Sequence, residues 1–185
     1  MTRTGLVVAL VLTAVAPALA QQSPPAEVPA PSKEFVAFMK TLEGTWKCET
    51  KRVAGAAGTD AAETIVKSTI KISKEKDMNG LWYRGEHAIP KSKTAPEKRG
   101  VFLMGWDPIG KQVLVTTYNN SGNATFGFGS IAEEMMIVSG EGHLMGKQAK
   151  YQETLTRVAD GSFVQKFEAD LGKGLQPMGE NNCKK

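Results

Sequence analysis

The chain has 185 residues with 23 basic and 19 acidic side chains, a formal charge of +4, and hydrophobic residues make up 41% of it. Its charges are interspersed rather than gathered into a basic arm or face, which argues against a nucleic-acid partner. The length allows one domain with a sizeable core and excludes a multi-domain assembly.

Residues 1–20 read as a secretory signal peptide. Arg3 supplies the positive start, Gly5 to Ala16 is apolar apart from Thr13, and Ala18-Leu19-Ala20 places small residues where a signal peptidase reads. Such a segment is too short for a membrane span. Removing it leaves 165 residues with no other long apolar run, so no transmembrane segment is expected after processing. The expected destination is exported, either the periplasm or the extracellular medium. Residues 21–31 (QQSPPAEVPAP) hold four of the nine prolines and read as a Pro-rich disordered tether, leaving 32–185 as the folded domain. The sequence carries no feature that fixes an oligomeric state.

Ser32 is a candidate N-cap for a short helix in which Phe35, Phe38, Met39 and Leu42 share one side, with Gly44 ending it. From Thr45 the period changes from 3.6 to 2. Trp46, Cys48 and Thr50 alternate with Lys47, Glu49 and Lys51, and Val66, Ser68, Ile70 and Ile72 alternate with Lys67, Thr69 and Lys71. Further strand-like runs follow: LWYRGEHAI, GVFLMGWD, KQVLVTTYN, ATFGFGSI, EEMMIVSGEG, KQAKYQETLTRV, SFVQKFEADL and LQPMGENNC. Asn79-Gly80, Asp107-Pro108-Ile109-Gly110, the segment 119–123 and Ala159-Asp160-Gly161 supply turns. About ten short strands with no intervening helices predict an all-β, antiparallel up-and-down barrel preceded by a short N-terminal helix. Closure would remove exposed edges, and a two-sheet sandwich is the alternative.

Two cysteines, Cys48 and Cys183, remain in an exported chain. An internal bridge is the favoured reading in an oxidising compartment, with two free thiols or pairing to another chain as alternatives.

Gly105 to Lys111 has the spacing of a phosphate loop, but Gln112 replaces its Ser or Thr and a strand follows where a helix is required. Gly127-Phe128-Gly129 likewise opens no helix. No nucleophile elbow, H-E-x-x-H or C-x-x-C occurs, so no catalytic residues are assigned and an enzyme is not expected. With only His87 and His143, no His-rich metal site is expected.

The segment Leu42-Glu43-Gly44-Thr45-Trp46, opening a first strand after a short helix, resembles the Gly-x-Trp start of lipocalin and fatty-acid-binding barrels. The wider pattern is closer to an exported bacterial lipocalin-like family catalogued as a domain of unknown function. Gly44-Thr45-Trp46-x-Cys48, Gly105-Trp106-Asp107-Pro108 and Cys183 carry this resemblance, which spans Glu34 to Lys185. It implies a structural role for Gly44, Trp46 and Arg157, the last as a cation over the Trp46 ring, with a solvated Arg157 as the alternative. It also implies a cavity able to bind a small apolar or amphipathic ligand. Candidate lining residues are Trp82, Arg84, Phe102, Met104, Trp106, Tyr118, Phe126, Phe128 and Tyr151, with Phe167, Glu86 and Glu153 as further possibilities. Alternation alone does not fix which parity faces inward, and each ring can equally be core. The competing reading is a ligand-free envelope or extracellular domain acting through its surface. No cofactor is expected, although an inward His87 matches the haem ligand of a related ten-stranded barrel family, a minor alternative.

Overall fold

The computed structural model describes residues 29–53, 63–93, 95–159 and 161–185. The expected signal peptide, and the tether apart from its last three residues, lie outside them.

Among the described residues, one helix, α1 (Lys33–Leu42), precedes ten strands: β1 (Gly44–Arg52), β2 (Thr64–Lys74), β3 (Trp82–Ile89), β4 (Lys98–Asp107), β5 (Gln112–Asn119), β6 (Ala124–Ala132), β7 (Met135–Leu144), β8 (Lys147–Ala159), β9 (Ser162–Asp170) and β10 (Leu175–Lys184). Each strand pairs antiparallel with its sequence neighbours, and β1 pairs with β10 to close the barrel. Every ladder is therefore satisfied without an edge.

Ser32 caps α1 by accepting a hydrogen bond from the Phe35 amide at 3.1 Å. The helix buries Phe35, Phe38, Met39 and Leu42, as the spacing predicts. Phe35 packs against Tyr83 and Trp106, each with ring centroids 5.8 Å away, so α1 plugs the end where β3 begins and β4 finishes. The Trp46 indole donates to the Leu42 carbonyl at 2.8 Å, fastening the helix to β1. Between them Gly44 adopts φ +125°, a conformation L side chains rarely reach.

Trp46, Cys48, Ser68, Ile70 and Ile72 face inward while their Lys and Glu neighbours face water. Cys48 and Cys183 stand opposite each other in the β1–β10 register and are disulfide-bonded. The turn after β4 is a hairpin, as expected: Asp107 accepts from the Ile109 amide at 3.0 Å, and the chain returns as β5. Asp170 closes the β9–β10 turn by accepting from the amides of Gly172, Lys173 and Gly174, which hold its carboxyl below the usual aspartate range. Glu133 and Glu134, expected at the start of a strand, instead form the β6–β7 turn, with Glu133 at φ +53°.

The cation over Trp46 is not the expected one. Lys185 Nζ lies 4.8 Å from the ring centroid, because β10 runs beside β1 and delivers the following residue to that spot. Arg157 borders the same recess but forks onto the Glu134 carboxylate, which the β6–β7 turn holds beside it. A carboxylate matches the guanidinium fork better than a ring face does.

Candidate ligand cavity

A cavity of about 800 Å³ occupies the barrel half away from α1. Its mouth is formed where β1 ends at Arg52, β3 ends at Ile89, β4 begins at Lys98 and β5 ends at Asn119. These positions are at the opposite strand ends from Trp46, Tyr83 and Trp106, which pack at the plugged end.

The walls differ in chemistry. On β2 to β5, Ile70, Ile89, Phe102, Met104 and Val115 make an apolar side. Gly85 lets Phe102 lie flat there, since the ring occupies the space a Cβ at Gly85 would need. On β8 to β10 and β1 the wall is polar. Gln165 Nε2 donates to Glu153 Oε1 at 2.5 Å, and Asn181 Nδ2 donates to Gln165 Oε1 at 2.7 Å. The Thr50 and Ser68 hydroxyls meet at 3.0 Å on the neighbouring strands. Burial pushes the Glu153 carboxyl above the usual glutamate range, with the Gln165 hydrogen bond only partly offsetting it.

His87 faces the cavity, sharing the inward parity of Tyr83 and Gly85, whereas Trp82 and Arg84 on the same strand face outward. Burial, and secondarily the Arg52 charge, lowers its pKa and favours the neutral imidazole. Among the described residues, its buried Nε2 has no hydrogen-bond partner, and neither has Asn181 Oδ1. Polar atoms buried in this way carry a desolvation cost unless something else satisfies them.

Of the nine candidate lining residues, Phe102 and Met104 line the cavity. Trp106 and Tyr151 face inward but serve packing. Trp106 meets Phe35 of the helix, and Tyr151 stacks on Phe167 at 5.8 Å. The Tyr151 hydroxyl rests against Gly127 without a hydrogen bond of normal geometry, and burial followed by the nearby Glu153 pushes its pKa up to about 12. The other five lie outside the barrel. Trp82 covers Gly105 on the outer face, and Arg84 pairs with Glu86 at 3.2 Å. Tyr118, Phe126 and Phe128 are 49%, 47% and 40% exposed.

The reason for the outward phenyl rings is steric. In β6, Thr125, Gly127 and Gly129 take the inner positions. A Cβ on Gly127 would strike the Tyr151 hydroxyl, and one on Gly129 would strike the Ile137 carbonyl. Tyr151 reaches across from β8 to fill the space that phenyl rings on β6 would otherwise take.

Pattern reading missed Arg52, Lys98, Gln165, Asn181 and Thr117 as lining residues. A usable signal existed for two of them. An inward Cys48–Cys183 bridge fixes the parity of β1 and β10, which turns Arg52 and Asn181 inward as well. Among the described residues, no three His, Cys, Asp or Glu side chains gather into a metal-holding group. No helix among them is long and apolar enough to cross a membrane.

No family model matches the chain, and no curated protein does. A redesigned β-barrel of known structure is similar to it, with TM-score 0.46, 11% identity, and coverage of 80% of this chain and 94% of that one.

Proposed function

We propose that the protein is an exported, lipocalin-like barrel that holds one small amphipathic molecule. The observation that carries this reading is the cavity itself: about 800 Å³, open at one end, with an apolar wall facing a polar one. That volume lies within the range of small-molecule sites. A barrel closed around its own side chains would leave no such space, so the ligand-free surface domain is the weaker reading. The Cys48–Cys183 bridge supports an oxidising location, the periplasm or the extracellular medium.

Titration with the neutral dye Nile red tests the reading. One dye per chain is expected, with enhanced emission, and Thr117→Trp is expected to abolish binding by filling the cavity from β5. Dye binding that persists unchanged in Thr117→Trp assigns the dye to the outer Phe126–Phe128 patch and contradicts the proposal.

One observation favours a second reading. His87 presents to the cavity a buried Nε2 that has no partner among the described residues, the arrangement a haem iron ligand needs. Haem binding then requires a Soret shift with hemin that His87→Ala removes. No shift in the wild type ends this alternative.

A further inference from the structure

We infer that the molecule held in the cavity carries a single anionic oxygen head group, seated at the mouth among Arg52, Lys98 and His87. The inference rests on the cavity being a ligand site and adds what the ligand must contain.

Arg52 ends β1 and Lys98 begins β4, and both side chains are half-buried at the cavity mouth. Four other cations along the barrel meet carboxylates: Lys51 with Glu63, Arg84 with Glu86, Arg99 with Glu97 and Arg157 with Glu134. Among the described residues, no carboxylate lies within ion-pair distance of Arg52 or Lys98. Two glutamates line the cavity, and neither serves them. Glu153 is engaged by Gln165, and burial favours its neutral acid. Glu180 turns to Asn182 at 2.9 Å and Lys166 at 4.0 Å.

The unpaired cations also oppose each other. Burial first, and then the charge of Arg52, lowers the pKa of both Lys98 and His87. A guanidinium, an ammonium group and an imidazole whose Nε2 has no hydrogen-bond partner among the described residues thus meet at one cavity mouth. An entering oxyanion relieves that repulsion and accepts hydrogen bonds from all three, His87 with its Nε2 protonated. The apolar wall of Ile70, Phe102, Met104 and Val115 then covers the ligand's hydrocarbon part. Two cations with one neutral imidazole suit an oxyanion carried on an apolar body, of which a carboxylate is the simplest case.

Isothermal titration of the full mature chain with dodecanoate, dodecanol and dodecyltrimethylammonium tests this directly. Dodecanoate is expected to bind at least about tenfold more tightly than dodecanol, the scale of one charge-assisted hydrogen bond. The ammonium compound is expected to bind weakest. Arg52→Met and Lys98→Met are each expected to shrink the dodecanoate preference by about tenfold, and added salt to weaken it. Equal affinity for dodecanoate and dodecanol in the wild type overturns the anion inference while leaving the cavity a ligand site. Preference for the ammonium compound also overturns it, and binding of none of the three refutes both readings. The wild-type comparison needs no variant, so it stands even if a substitution prevents folding.

Discussion

Breaking the Cys48–Cys183 bridge should loosen the one seam at which the first and last strands must meet. The bridge spans a sequence separation of 135 residues. The chain-entropy relation assigns a loop of that size about 5 kcal/mol of stabilisation at 25 °C, acting through the unfolded chain. Both cysteines are buried within the core cluster, so the Cys48→Ala/Cys183→Ala double variant loses a further ~1 kcal/mol of packing. Domains of this kind have urea m-values of about 1–3 kcal/mol per molar, so the midpoint should fall by roughly 2–6 M. Equilibrium urea unfolding followed by tryptophan fluorescence, with and without reductant, measures it. Reduced wild type and the double variant should unfold close together, and both well before the oxidised protein. A shift below about 1 kcal/mol would refute the reasoning and show that the β1–β10 ladder closes the barrel without covalent help.

Trp46→Phe keeps a six-membered ring but removes the indole donor to Leu42 and shrinks a buried side chain, and should cost more than about 1 kcal/mol, read as an earlier urea midpoint. No change would show that the helix is held by its apolar face alone. Gly85→Ala should displace the Phe102 ring from its seat, costing about 1–3 kcal/mol and lowering Nile red affinity, because the ring then intrudes on the cavity. Retained stability and affinity would mean the ring has room elsewhere. For Glu153 the folded pKa is raised, so the folded state holds its proton more tightly than the unfolded one. Stability from this group is full below the unfolded glutamate value of about 4.3 and is lost as pH rises through the folded value. Glu153→Gln keeps an oxygen for Gln165 to donate to, and should exceed wild type in stability at neutral pH, with the gap closing near pH 4. A gap that widens on acidification would reverse the sign of the argument.

Strand number, helix face and bridge were legible because each rests on local periodicity or on a single pair of residues. Lys47, Glu49 and Lys51 mark the wet face of β1 without ambiguity, and Phe35, Phe38, Met39 and Leu42 mark the buried stripe of α1. The β6 segment was not legible in the same way, since TFGFG presents phenyl rings at one parity and only Thr and Gly at the other. Hydrophobicity favours the rings inside. Tyr151, 25 residues or so downstream, decides against it by filling that space. The cavity's chemistry was hidden for a related reason. Arg52, Lys98, Gln165 and Asn181 sit on strands where polar residues ordinarily face water, and only the closed register reveals that they share one interior.

The central claim is that the barrel carries a molecule, and native mass spectrometry of the protein purified from its own host under non-denaturing conditions tests it most directly. The account predicts a species heavier than the mature chain by one small molecule, released on denaturation, and absent when Thr117→Trp fills the cavity. Recovery of bare protein alone, with no uptake when it is incubated with the host's lipid extract, would contradict it.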